Sequence, residues 1–340
     1  DSGQFYIAFD FLPAGTDLLQ LYVDFLGQQI GGYFDTETKE MNVVLLSGKR
    51  PTHTLPVLEQ ITYSHEYTHA LQDEYFDLSG FIDEELSEAN PDMAQARLSL
   101  VEGDATYVMN EYTVRVTQEA PLLVLAQVLI QGAASGALAI PEGTPLIIQH
   151  ELLSPYTDGL NFINALIADG GWDRVNEAYT KLPESTEQII HPDRYLAGDH
   201  PLDVTLTADD NPLGDDWALL FDRSLGEFYL REYLDTQLPP LDVIKAATGW
   251  GGDRYRLYHD AATNQRAWVM RLEWDTPQDA NEFAELYTKF GDLRFDIEAD
   301  DKGCWSGEKD VVCFAVIDGA SLISYAPTEE MALRLLDGQQ

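Results

Sequence analysis

The sequence predicts an α+β protein. Its first two thirds read as mainly helical, with a small N-terminal hairpin, and its last hundred residues read as a separate α+β module. Three observations carry this. Apolar residues recur at helical spacing through most of residues 15–235. A short alternating stretch breaks them at 32–46. Beyond Pro239-Pro240 the pattern changes to alternating runs separated by single helices. The predicted domains are therefore residues 1–240 and 241–340.

In chain order, GTDLLQLYVDFLGQQI (15–30) has apolar positions one turn apart and Thr16 as N-cap. GGYFDTETKEMNVVLL alternates around a polar turn at Thr36–Lys39, a hairpin signal. A loop spans Pro51–Pro56, and helical spacing resumes to Tyr75 with Pro56 in the first turn. Residues 82–90 read as an acidic loop and 92–118 as a helix behind Asn90-Pro91. Further helices are predicted near 122–135, 158–169, 171–181 and 216–235. GWGGDRY (249–255) reads as a tight turn in which a tryptophan packs where the two modules meet. Strands are predicted at RYRLYHD, QRAWVMRLEW, VVCFAVID and SLISYA, and helices at TPQDANEFAELYTKF and PTEEMALRLL. No repeat of fixed period is visible.

Composition bounds the function. With 45% hydrophobic residues the chain has ample core, so its charge does not mark disorder. Fifty-nine acidic residues against twenty basic ones give −39, which excludes a nucleic-acid partner: no basic stripe exists to displace counterions. The acidity suits a solubility surface, the steering of cationic substrates, or Ca2+. The only cysteines, Cys304 and Cys313, flank the turn-forming cluster in WSGEKDVV, so two paired strands would set their sulfurs opposite each other. The expected disulfide implies an oxidising compartment, hence a secreted or extracytoplasmic protein. Residues 121–141 (PLLVLAQVLIQGAASGALAIP) are the one candidate span, but two glutamines and a run of small residues make a buried helix or helical hairpin the better reading, with no membrane span.

The chemistry lies in HEYTHALQDEY, 65–75. Two histidines four apart on a helix sit about 40° apart around the axis and one turn along it. Both imidazoles can reach one ion at the ~2.0–2.1 Å that zinc requires. Glu66 lies on the adjacent flank, from which it can take a proton from a water at the ion without displacing that water. A structural zinc would need four protein ligands, commonly cysteines, and both cysteines lie in the other module. Three ligands and an open position fit better, one Zn2+ per chain. Gln72 and Tyr75 occupy the places where a third histidine motif would put its glycine and histidine. The third ligand is expected to be Glu102, set among apolar residues in SLVEGDATYV, because a carboxylate there is not buried without a partner. Gly103 beside it would permit close helix packing. Asp73 is expected to orient a ligand histidine, and Asp104 is the weaker candidate for that role.

At these residues a resemblance emerges. HEYTHAL resembles the thermolysin-type H-E-x-T-H-A pattern, and a Glu-Gly pair on a following helix resembles the third-ligand segment of the gluzincin metallopeptidases. HEYTHALQDEYFDL, VEGDATYV, PESTEQIIHPDRY and GWGGDRY are also similar to a set of secreted bacterial proteins with an HExxH core, over roughly residues 30–260. The gluzincin resemblance covers only the two ligand helices. It implies a zincin-like catalytic domain with zinc on His65, His69 and Glu102, Glu66 as general base, and a peptide or protein substrate. One position departs: Thr106 stands where the thermolysin pattern has an aspartate four residues after the ligand glutamate, so the outer support of the site must be built differently.

A zinc site of this kind needs a further donor for the oxyanion. The proline-bounded segment 183–195 offers His191 first and Tyr195 second, with Tyr156 and Tyr107 as further candidates. His150 reads as a surface or packing residue; His53, His200 and His259 have no evident partner. Two other readings compete with the metallopeptidase: a non-catalytic binding or scaffold protein on a peptidase-like core, and a C-terminal partner domain with the zinc site as accessory.

Overall fold

Two glycines decide how the helices of the first half cross. A computed structural model describes residues 2–29, 31–45, 53–122, 124–125, 140–206 and 211–339. Helices α1 (Ser2–Ala8) and α2 (Leu18–Gln29) precede a hairpin of β1 (Gly32–Asp35) and β2 (Glu40–Val43). Then come α3 (Val57–Phe76), α4 (Glu84–Ala89), α5 (Pro91–Glu119) and α6 (Leu146–Ala178). Helix α5 packs against both α3 and α6. Where α5 meets α6, a Cβ on Gly103 would fall 2.2 Å from the Gly159 carbonyl carbon, and one on Gly159 would fall 2.1 Å from the Ser99 oxygen. Only residues without a side chain allow this approach. Leu100, Phe162, Ile163 and Leu166, all fully buried, fill the space around it.

Short helices α7 (Thr186–Ile190) and α8 (Pro192–Ala197) lead to β3 (Ala218–Arg223), α9 (Gly226–Asp235) and α10 (Pro240–Ala247). The chain then lays down β4 (Trp250–Asp260), β5 (Gln265–Trp274), α11 (Pro277–Phe295), β6 (Cys304–Ser306), β7 (Val311–Ile317), β8 (Ala320–Ala326) and α12 (Glu329–Asp337). Six antiparallel strands form one sheet in the order β3-β4-β5-β8-β7-β6. Alternation along β5 sends Trp268, Met270 and Leu272 into an aromatic core shared with α1, α9 and α11, and Ala267 and Val269 into a second core under α12. Cys304 and Cys313 are cross-strand partners and form the expected disulfide.

The α+β class is as predicted, and the predicted hairpin forms with its strands paired over 32–43. Several elements differ. The 216–235 helix is a strand followed by a helix: β3 forms because β4 is there to pair with it, a non-local cause. The sheet therefore begins before residue 240, although the expected division lay there. Residues 84–89 are helical, capped by Asp83, whose side chain accepts from the Leu86 N–H at 2.7 Å. The two helices expected at 158–181 are one long α6 with non-helical backbone at Gly170 and Gly171. GWGGDRY is the bulged start of β4, and Trp250 is buried in the aromatic core as expected. Most of the 122–135 helix and of the 121–141 segment lies outside the described residues. No helix among the described residues is long and apolar enough to cross a membrane.

Helices α5 and α7 meet α9 and β4 at buried carboxylates. Asp92 accepts from the Thr186 hydroxyl and backbone N–H, and Asp253 accepts from the backbone N–H groups of Leu225 and Gly226. Gly226 has φ +82°, and a Cβ there would collide with Asp92. Burial, reinforced by neighbouring Asp253 and Glu227, pushes Asp92 up to about 8. Burial and the charge of Glu227 push Glu187 up to about 9.

Two outcomes follow for stability. Gly159→Ala must force α5 and α6 apart and lower unfolding free energy by about 1–3 kcal/mol in urea titration. The raised carboxyls set a pH dependence: between about pH 4, where they titrate in an unfolded chain, and about pH 8, the folded state holds protons that the unfolded chain has released. Stability contributed by this junction is thus full below about pH 4 and lost as pH rises to 8. Urea midpoints at pH 5 and pH 8 should differ more for the parent than for Asp92→Asn; equal differences would contradict the assignment.

Candidate metal centre

Helical spacing places His65 and His69 on one face of α3, and the α5–α6 contact beside Gly103 holds Glu102 against them. His65 Nε2 lies 3.1 Å from His69 Nε2 and 3.1 Å from Glu102 Oε2, and His69 Nε2 lies 3.4 Å from Glu102 Oε2. Tetrahedral ligands about 2.0–2.1 Å from a zinc ion are separated from one another by about 3.3 Å. The three atoms therefore already stand at the corners of such a site. Among the described residues this is the one group of three or more His, Cys, Asp or Glu side chains close enough to hold an ion. The acidic surface supplies no second, calcium-type cluster among them.

The electrostatics agree. Burial opposes the charge on Glu102, but hydrogen bonds from both histidines outweigh it and hold the carboxyl down at about 2. Burial likewise opposes a proton on His69, and the Glu102 carboxylate overcomes it, raising the imidazole to about 9. A carboxylate held against two imidazoles in this way is suited to share a divalent ion with them.

The chain orients His69 through a residue the sequence reading passed over. Gln72 Oε1 accepts from His69 Nδ1 at 2.8 Å, which leaves Nε2 as the ring atom that faces Glu102 and would ligate an ion between them. The Gln72 amide nitrogen donates to the Val101 carbonyl at 3.0 Å and to Asp104 Oδ2 at 2.9 Å, and Asp104 also accepts from the Tyr179 hydroxyl at 2.7 Å. Asp104 is therefore a support one step removed from the histidine. Asp73 is not a support at all: its carboxylate pairs with Lys39 from the hairpin turn. The expectation for Asp73 fails because Gln72, three residues after His69, reaches the ring first. Thr106 is buried but takes no part in these bonds.

Glu66 lies on the flank of α3 under β1. Gly32 permits the approach, since a Cβ there would sit 3.2 Å from Glu66 Cγ and 2.9 Å from the Asn42 carbonyl oxygen. Burial raises the Glu66 carboxyl, while His69, His65 and the Phe34 backbone N–H lower it. A cavity of about 600 Å3 opens beside Glu66 and His65, walled by Phe25, Leu26, Leu152 and Tyr156.

The expected oxyanion donors do not gather here. His191 Nε2 lies 3.0 Å from Glu227 and 3.2 Å from Arg231, and the Tyr195 hydroxyl donates to the Lys181 carbonyl while its ring meets Phe162 edge-on. Segment 183–195 folds into α7 and α8 and turns these side chains toward α9 and α6. Tyr156, from α6, is the hydroxyl that borders the site: its ring lies 6.0 Å from that of His65, and it lines the same cavity as Glu66. Burial and the Glu102 and Glu66 charges raise its pKa. Tyr107 packs on Trp172. His150 bonds Glu232 at the surface, as expected, and His200 and His259 find partners in Glu184 and Asn264.

Residues 220–335 match the family model described as Domain of unknown function (DUF8575), which covers the sheet and not the HExxH helix. No curated protein and no solved structure matches the chain.

If Gln72 aims His69, Gln72→Leu should weaken zinc affinity by about 10–100-fold while preserving a ratio of one ion per chain at saturation, as measured by competition with a fluorescent chelator.

Proposed function

We propose that the chain is a zinc-dependent hydrolase that cleaves peptide bonds, a metallopeptidase. The observation that supports it most is the meeting of His65, His69 and Glu102 with Glu66 beside them and a cleft in front. Zinc bound there would supply Lewis acidity and bring a coordinated water toward neutral pKa. Three protein ligands leave a coordination position open, which is the arrangement of catalytic and not structural zinc.

The chain's own residues do the rest. Glu66 accepts the proton as water adds to the scissile carbonyl, then gives it to the departing amine. The Tyr156 hydroxyl donates to the carbonyl oxygen as it gains negative charge, the role first expected of His191 and Tyr195. Among the described residues the cleft is walled largely by apolar side chains and carries no lysine or arginine. We read the protein as secreted or otherwise extracytoplasmic, a reading supported by the Cys304–Cys313 disulfide.

Glu66→Gln should leave fold and zinc content unchanged and lower turnover of a mixed peptide library by about 10²–10⁴-fold. Tyr156→Phe should lower kcat by about 10²-fold with little change in KM. Unchanged hydrolysis by zinc-loaded Glu66→Gln would contradict the reading and trace the activity to something other than this site.

A further inference from the structure

A cavity of about 950 Å3 lies on the flank of α3 opposite Glu66. Tyr63, Tyr67, Leu71 and Tyr75, spaced four apart, form one wall, and Trp172 stands on another. These side chains are exposed, with Tyr75 at 75% and Trp172 at 48%, although all are large and apolar. The rings of Tyr63 and Tyr67 lie nearly parallel, 6.0 Å apart. Among the described residues no lysine, arginine or histidine lines the cavity, and Asp104, which is 6% exposed, is the one charged residue that does. Gln72 and Tyr179 both bond Asp104 Oδ2; Oδ1 has no hydrogen-bond partner among the described residues.

A buried carboxylate with one oxygen unpaired, set beneath aromatic walls, favours one kind of ligand. The carboxylate attracts positive charge through poorly screening surroundings. The ring faces add their own attraction for a cation, strongest for indole. The aliphatic and aromatic walls cover an apolar stem. An anion would meet Asp104 with no lysine, arginine or histidine among the described lining residues to receive it. A purely apolar ligand would leave the carboxylate beneath it unmatched.

We propose that this cavity binds an organic cation carried on an apolar stem, an alkylammonium or alkylguanidinium such as a basic side chain presents. The cavity lies on the other flank of α3 from the metal centre and shares Gln72 and Asp104 with the support of His69.

Calorimetry with n-hexylammonium, n-hexanol and n-hexanoate tests it, in enough salt to screen the net charge of −39. The acetylated amides of lysine and norleucine form a second pair that asks whether a peptide can supply the group. Hexylammonium should bind about tenfold or more tightly than hexanol, hexanoate should not bind, and the lysine amide should exceed the norleucine amide. Tyr67→Ala and Trp172→Ala, at exposed positions where the fold survives, should each weaken hexylammonium about threefold or more. Asp104→Asn should weaken hexylammonium but not hexanol. Equal binding of ammonium and alcohol would overturn the proposal, and so would ammonium binding that neither aromatic substitution changes.

Discussion

A single carboxylate, Glu102, largely withdrawn from water between two imidazoles, is the constraint on which the rest of the helical half depends. An ionised carboxyl buried without a partner is costly enough to be neutralised or expelled. Here it is held by short contacts to both histidines, and those contacts exist only because α5 lies close to α3 on one side and to α6 on the other. Gly103 and Gly159 set that closeness. A side chain at either would move Glu102 relative to α3, so a backbone feature with no chemistry of its own fixes the geometry of the site.

Around this contact the structure adds direction. Gln72 receives the His69 N–H and passes its own amide protons to the Val101 carbonyl and to Asp104, whose carboxylate is fixed in turn by Tyr179. The series runs from α3 to α5 and on to the residue that ends α6, so three helices agree on where one imidazole points. His65 has no such relay behind it: its Nδ1 is buried with no hydrogen-bond partner among the described residues, Tyr156 lies along its ring, and its Nε2 meets Glu102. The two histidines are thus held by different means.

Much of this was readable in the sequence where the cause is local. The spacing of His65 and His69, the carboxylate of Glu102 amid apolar neighbours, the hairpin turn at Thr36–Lys39 and the placing of Cys304 opposite Cys313 are properties of short segments. What was not readable depends on packing between distant segments. Whether Gln72 or Asp73 reaches His69 is settled by what α5 and the hairpin offer each: Asp104 engages the first, Lys39 the second. Residues 183–195 carry His, Arg and Tyr in a proline-bounded stretch that reads as an active-site loop. Their partners Glu227, Arg231, Asp199 and the Lys181 carbonyl make it a structural joint instead. Residues 218–223 favour helix and strand about equally, and the presence of β4 decides.

X-ray absorption at the zinc edge, on the full chain loaded with one equivalent of zinc, tests the central claim most directly. Two imidazoles and light oxygen donors in the nearest shell, at about 2.0–2.1 Å, with one imidazole contribution lost in each of His65→Ala and His69→Ala, is the result the account requires. A spectrum with oxygen ligands alone, or one that neither substitution alters, would contradict it.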